Sequence, residues 1–305
     1  MKRVVISAIH FGQRKNTVDF LASLEQLSQK SFNIIVVLID NNAKESFRRD
    51  DYDAKHFPLT VLQNKENLGF AGGHNVGIRY ALKSEADYVL VVNNDTVVDR
   101  GLVEELVSVA EEDKKIGIVA PKIYFAKGFE FHKGRYTASE EGKVFWYAGG
   151  MTDWSNVIAH HRGVDEVDHG QYDMVEQTDF ASGCCMLIKK EVFEKVGMFD
   201  EKYFLYYEDS DLCARVKKSG YKIIYAPKAV LWHQNASSAG GSGSQLQDYY
   251  ISRNRLLFGL RYAPVRSKIA LMRESIRLVV SGREWQKQGV IDFYLRKFGK
   301  GSYQV

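Results

Sequence analysis

The sequence predicts an α/β protein with a mixed, mainly parallel sheet flanked by helices, and three observations carry that expectation. Strand and helix signals alternate through the first 120 residues, the pattern of parallel strands joined by crossover helices. The strand signals are short apolar, β-branched runs without polar alternation, as expected where helices cover both faces of a sheet. Two of these runs end directly in polar residues, "LIDNN" at 38–42 and "VVNNDTVVD" at 91–99. Those are carboxyl ends of strands, where open α/β sheets bind ligands.

Taken in order, the first apolar run predicts a strand over 3–9, followed by a helix over about 17–29 and strands over 33–39 and 59–63. "NKENLGFAGGHNVGIRYAL" then places Gly69, Gly72, Gly73 and Gly77 where a loop enters a helix over about 73–83. A strand over 87–92, a helix over about 101–111 and a strand over 117–120 continue the alternation. Residues 123–178 change character, with many aromatic, Gly and charged residues and weak periodicity, and read as irregular strands and loops. From Phe180 a strand and a helix follow, stopped by Gly197. "YYEDSDLCARVKKSG" is a helix stopped by Gly220, "YKIIYAP" a strand, and "VLWHQNASSAGGSGS" an apolar stretch running into a small-residue loop. From 246 onward the chain is helical and basic, with 12 Lys and Arg against 3 Asp and Glu after residue 252.

Composition bounds the function classes. A hydrophobic fraction of 45% and a charged fraction of 26% are those of a folded globular protein. Three cysteines, two of them adjacent, cannot form a disulfide framework, and no Cys/His set has zinc-finger spacing, which fits a reducing compartment. No apolar run reaches the roughly 18 residues needed to span a bilayer, so a cytoplasmic protein is expected. The basic tail carries no recognised nucleic-acid module, which argues against nucleic acid as partner.

Several residues could carry chemistry. Asp40, at the end of its strand, could accept hydrogen bonds from a base or ribose. The Gly-rich loop could offer backbone N–H groups to a phosphate, or serve close packing alone. It matches neither the dinucleotide fingerprint nor the P-loop. Glu208, Asp209 and Asp211 fall in the first turn of a helix, which favours acids there and keeps a carboxylate ionised, as a general base requires. His233 and Asp95 could form an N/O site for Mn²⁺ or Mg²⁺, completed by phosphate oxygens and water. The loop 236–244 after His233 could close over a ligand as a lid.

In their order and spacing these pieces, with "HRGVDEVDHGQYD", "FASGCCMLIKKEVFEKVGMFDEKYFLYYEDSDLCARV", "VLWH" and "YYISRNRLLF", resemble the family 2 glycosyltransferases with the GT-A fold, especially their bacterial rhamnosyltransferase-like branch, over about residues 4–300. The resemblance implies a catalytic domain over 1–245, with a nucleotide-sugar half to about 122 and an acceptor half from 123, and a basic helical extension over 246–305. It implies that Asp40 contacts the nucleobase, and that Asn67, Gly69, Phe70, Gly72 and Asn75 shape the nucleotide pocket. Asn93, Asn94 and Asp95 stand where the family has its DXD motif; Asp95 is the matching metal carboxylate, while Asn93 replaces the first acid. His233 is the second metal ligand and Asp209 the general base of an inverting displacement. Glu208 and Asp211 are supports, Arg253 meets the diphosphate, and Trp154 lies on the acceptor side with Trp146, Tyr147, His160 and His161.

Function under this resemblance is transfer of a sugar from a nucleotide-sugar donor, with dTDP-L-rhamnose one candidate, to a glycan or lipid-linked acceptor in bacterial surface polysaccharide synthesis. The cofactor is Mn²⁺ or Mg²⁺. The tail, with Arg273, Arg277, Lys287, Arg296, Lys297 and Lys300 among Leu271, Ile276, Leu278, Val279, Phe293 and Leu295, could lie on the inner face of the cell membrane, form a solvated helix face or make an oligomer contact. The rival readings are a nucleotidyltransferase, for which "ISAIHFGQRKNT" is a poor N-terminal match, and a nucleotide-sugar-binding scaffold.

Overall fold

A ten-stranded mixed sheet organises the chain in a computed structural model that describes residues 1–28, 32–42, 44–132, 134–234 and 243–303. The first half runs β1 (Lys2–His10), α1 (Arg14–Leu24), β2 (Phe32–Asp40), β3 (Leu59–Gln63), α2 (Gly69–Lys83), β4 (Tyr88–Asn93), β5 (Thr96–Val98), α3 (Leu102–Glu112) and β6 (Ile116–Phe125). There follow β7 (Phe145–Tyr147), β8 (Gly150–Asp153), β9 (Ile158–His161), β10 (Glu176–Gln177), β11 (Cys185–Lys189), α4 (Lys190–Val196), α5 (Glu208–Lys218) and β12 (Lys222–His233). The helices α6 (Gln245–Tyr262), α7 (Val265–Ser281) and α8 (Glu284–Tyr294) come last.

The strand order is β10-β12-β6-β11-β4-β1-β2-β3, with β5 paired to β12 and β7 to β6. Strands β3, β2, β1 and β4 are parallel, as the alternation predicts, and β6 and β12 form a second parallel pair. Between these blocks β11 is antiparallel to both neighbours. The register sets His10 of β1 opposite Asp40 of β2 and Ile9 opposite Asn93 of β4, so three polar strand ends finish in line. The apolar runs behind them, Val4–Ile6, Val36–Ile39 and Val89–Val92, are buried, because helices cover both faces.

Three expectations shift. Helix α2 begins at Gly69 rather than 73, because Phe204 caps it: its carbonyl oxygen accepts from Phe70 N at 2.7 Å and Ala71 N at 3.3 Å. No local residue signals that cap. Helix α1 spans Arg14–Leu24 instead of 17–29, since Gln26 N and Leu27 N bond back to Ser23 and Leu24 carbonyls and tighten the chain out of the helix. Strand β12 runs on from "YKIIYAP" through "VLWH", the register slipping between Ala226 and Val230, where Pro227 is tolerated at an irregularity. The irregular segment holds β7, the edge strand β10 and the β8–β9 hairpin.

Helix α6 anchors the C-terminal helices to the β8–β9 hairpin, a two-stranded sheet of its own. Phe258 stacks on Trp154 at 5.6 Å between ring centroids, and Arg255 Nε donates to Asn156 O at 2.9 Å, so the turn of the β8–β9 hairpin rests on α6. No helix among the described residues is long and apolar enough to cross a membrane.

Candidate active site

The turn after β4 explains why a buried strand ends in Asn93, Asn94 and Asp95. Thr96 Oγ1 donates to Asn93 O at 2.8 Å, and β5 then pairs antiparallel with the end of β12, Thr96 opposite His233. This pairing brings Asp95 to His233, with Oδ1 3.2 Å from Nε2 and both side chains nearly buried. Among the described residues Asp95 Oδ1 is buried and has no hydrogen-bond partner, so it does not bond the Nε2 it faces, and His233 Nδ1, the ring's other nitrogen, is likewise buried without a partner. A buried, unpartnered carboxylate oxygen that faces a ring nitrogen at 3.2 Å suits a shared cation, since adjacent ligands on bonds of about 2.1 Å lie about 3 Å apart. Among the described residues no group of three or more His, Cys, Asp or Glu could hold a metal, so other positions would fall to water and ligand oxygens.

Aromatic rings wall this pair. Trp146 packs edge-on against His233 at 4.6 Å and against His161 at 4.3 Å. His161 is tied through Nδ1 to Trp146 O at 3.0 Å, and burial brings its pKa down to about 4, so it is neutral at physiological pH.

At the end of β2, Asp40 is buried and accepts from Ser46 Oγ at 2.6 Å and Phe47 N at 2.9 Å, which shapes the turn after the strand. Asn41, beside it, donates to Asn67 Oδ1 and Gly69 O and accepts from Asn64 Nδ2 and Leu68 N, each at 3.0 Å. Asn67 in turn accepts from Gly69 N at 2.8 Å. Asn94 donates to Thr17 Oγ1 at 2.7 Å, and Thr17 bonds the buried His10 at the same distance. Asn41, His10 and Thr17 thus cross-link the strand ends. Asn41 was legible as the residue after Asp40; Thr17 gave no signal.

Asp209 reaches the site through β11. Because β11 is antiparallel to β4, its entry at 182–184 lies beside the end of β4, where Asn93 N donates to Cys184 O at 2.9 Å. Gly183 N donates to Asp209 Oδ2 at 3.0 Å, and Ser210 N to Oδ1 at 2.7 Å. Phe70 lies against Gly183, where a Cβ would meet its ring at 2.8 Å. Burial pushes the Asp209 carboxyl above its ordinary value, and the Gly183 and Ser210 N–H groups oppose that rise. The result is a fixed carboxylate more basic than a solvated one.

Glu208 and Asp211 divide the supporting work. Asp211 is fully buried and accepts from Tyr203, Tyr262 and Arg261 at 2.8–3.1 Å and from Arg215 Nε at 2.8 Å, joining α5 to α6. Glu208 is buried and its Oε2 has no hydrogen-bond partner among the described residues. Burial, then the Asp209 charge, raises its pKa well above the usual range. With a folded pKa above the unfolded one, Glu208 destabilises the fold increasingly as pH rises from about 4.3 toward its folded value. Glu208→Gln is therefore expected to raise the thermal midpoint at pH 8, with the gain vanishing toward pH 4. A constant difference across that range in thermal unfolding would show that Glu208 is not held protonated.

Three sequence expectations are corrected. The first N–H groups of α2 go to Asn67 and Phe204 rather than to a phosphate, and Gly69 (φ +70°) and Gly77 are small for packing: a Cβ would strike Phe204 O and Ser7 Oγ respectively. At Gly72 a Cβ would meet Leu68 Cβ at 2.8 Å. Asn75 does not face a nucleotide; it clamps the loop at Phe199 and Glu201 through three hydrogen bonds of 2.9–3.1 Å. Arg253 cannot meet a diphosphate, because it is fully buried and its N–H donors are taken by Asn254 Oδ1, Tyr249 OH and the carbonyls of Lys202, Tyr203 and Lys297. Trp154 is half-buried and stacks on Phe258, which fits the supporting place also expected of it. The lid expectation falls largely on residues 235–242, outside the described residues.

The family model described as glycosyltransferase-like family 2 matches residues 11–255. The chain is 26% identical, over 72% of its length and 66% of the other protein's, to the low-salt glycan biosynthesis hexosyltransferase Agl10 of Haloferax volcanii. It is 25% identical, over 77% of each chain, to an N-acetylglucosaminyl-diphospho-decaprenol L-rhamnosyltransferase of Mycobacterium tuberculosis. Among solved structures, GalNAc-T7 with UDP, GalNAc and Mn²⁺ superimposes with a TM-score of 0.60 at 15% identity, covering 96% of this chain and 57% of that one.

Proposed function

The chain belongs to glycosyltransferase-like family 2, and from that premise we propose that it transfers a sugar, with inversion, from a nucleoside-diphosphate donor to a hydroxyl of a glycan or lipid-linked acceptor. The observation that carries this reading is the Asp95–His233 pair, in which a buried carboxylate oxygen without a hydrogen-bond partner faces the imidazole Nε2 at 3.2 Å at the carboxyl ends of β4 and β12. A divalent cation held there, Mn²⁺ or Mg²⁺, would supply positive charge where a departing diphosphate develops negative charge. The Mn²⁺ in the GalNAc-T7 structure supports that class of ion.

The remaining chemistry is assigned to the chain's own side chains. Asp209, fixed by Gly183 N–H, accepts the proton of the acceptor hydroxyl as its oxygen attacks the anomeric carbon. The bond from that carbon to the diphosphate breaks on the opposite face, so one displacement inverts the centre and no protein nucleophile is needed. Trp146 offers an aromatic face beside His233, suited to the apolar face of a sugar ring. Asp40, at the adjoining strand end, is assigned to the nucleobase side. Rhamnose is the first donor sugar to try, given the rhamnosyltransferase relative, and the lipid-diphosphate acceptor in that relative's name makes a polyprenyl-linked sugar the first acceptor.

The test is nucleoside-diphosphate release from dTDP-rhamnose, UDP-glucose, UDP-N-acetylglucosamine and GDP-mannose, each with Mn²⁺, Mg²⁺ or chelator. One donor is expected to respond, and only with metal. Manganese binding followed by electron paramagnetic resonance gives a readout apart from turnover: His233→Ala is expected to weaken it about tenfold or more. Failure of every donor under every metal condition defeats the reading.

A further inference from the structure

Helix α7 carries two apolar faces, and only one of them has a partner. Ser267, Leu271 and Ser275 are buried on the inner face, and Leu271 packs beside Gly259 of α6 and Val157 of the hairpin. The second face is formed by Val265, Ile269, Met272, Ile276, Val279 and Val280, all 40–74% exposed. Their spacing of four, three, four and three residues makes one stripe along the whole helix, about 130° around from the buried one at 100° per residue. On the inner face, Ser275 bonds Tyr294 of α8 at 2.7 Å, so α8 packs on that side and leaves the stripe open. A protein that exposed this stripe only to water would keep a contiguous apolar patch uncovered.

The charges beside the stripe say what covers it. Arg266, Arg273 and Arg277 are exposed along one flank, at 7- and 4-residue spacing, and Lys268 lies on the other. No ion pair among the described residues holds any of these three arginines. The one acid of α7, Glu274, is engaged by Arg255 at 2.9 Å. A second copy laid stripe to stripe would set the arginines of α7 against the cations of the other α7, whose one acid is already engaged. An aliphatic stripe bordered by unpaired arginines suits an anionic lipid surface instead.

We propose that α7 docks on an anionic bilayer, its aliphatic stripe seated at the boundary of headgroups and acyl chains and Arg266, Arg273 and Arg277 against lipid phosphates. The sequence-based expectation for this tail, a membrane surface, a solvated face or an oligomer contact, included Leu271, Leu278 and Phe293; all three pack inward. The docking needs neither donor nor metal, so it stands or falls separately from the transfer reading.

Flotation of the full chain with phosphatidylcholine vesicles, with and without phosphatidylglycerol, tests it. Wild type is expected to float with the anionic vesicles only, and to be released by salt. Ile276→Glu with Val280→Glu should lower partitioning tenfold or more, and Arg273→Gln and Arg277→Gln about fivefold each, with an unchanged thermal midpoint because these side chains are exposed. Absence of wild-type flotation, equal binding to neutral vesicles, or a self-association in sedimentation that Ile276→Glu dissolves would each overturn the proposal.

Discussion

Asp209→Asn is expected to cut turnover between about a hundred- and ten-thousand-fold, the range over which a positioned base contributes, while donor affinity stays within about twofold. The substitution is close to isosteric and keeps an oxygen that can accept from Gly183 N or Ser210 N, so the entry to β11 and the first turn of α5 hold their places. What it removes is the ability to take a proton. A structural role alone predicts the reverse pattern, with lost stability and little loss of rate in the folded fraction.

The pH profile adds a second check on the same residue. Burial raises the Asp209 pKa, so the wild-type rate should fall as pH drops through a value above the usual aspartate range of about 3.9, and plateau above it. That acid limb belongs to the base and should be missing from the residual activity of the Asn variant. An unchanged rate for Asp209→Asn would remove the base assignment and favour a binding scaffold.

The residues legible in the sequence are those whose place follows from the end of a regular element. Asp40, Asp95 and His233 leave apolar strands, so their positions at strand ends followed from the strand pattern, whereas Asp209 opens a helix and was tied to the site only by the family resemblance. The residues misread are those whose partners come from distant chain. Asn75 meets Phe199 across 124 positions, and the cap of α2 is the carbonyl of Phe204, so a Gly-rich helix entry looked like a phosphate cradle when tertiary structure had already filled it. Arg253 followed the same rule: a buried arginine and a diphosphate-binding arginine have one sequence, and only the carbonyls around it distinguish them. The pairing of β5 with β12 was invisible because three residues are too few for periodicity. Yet this pairing sets Asp95 3.2 Å from His233, the two residues proposed to hold the metal, an approach that the sequence could not give.

The other large effect is expected at Asn254, to which the sequence reading assigned no role. The segment before Asp209 is strained: Phe204, Tyr206 and Tyr207 have φ of 64°, 67° and 71°, a left-handed conformation that costs a non-glycine residue about 1–2 kcal/mol. Such strain persists only where the surroundings over-determine it. Here Asn254 Nδ2 lies 2.8 Å from Tyr203 O, 2.8 Å from Leu205 O and 2.9 Å from Tyr206 O, and Arg253 adds bonds to Lys202 O and Tyr203 O. Asn254→Ala should lower stability by about 2–4 kcal/mol in urea unfolding, since buried carbonyls lose their donor at about 1–3 kcal/mol each and partly re-pair with water. Turnover should fall at least tenfold with donor affinity retained, because Asp209 follows Tyr207 by two positions and shifts when the segment relaxes. Asn254→Asp separates this clamp from simple packing. It preserves shape and the bond from Arg253 Nε, but it turns an oxygen toward three carbonyls, so it should be less stable than the alanine variant. If the aspartate variant matched wild type in stability and rate, the strained segment would be held by its own packing rather than by α6, and the positioning of the base would have to be sought in Phe204 and its contact with α2.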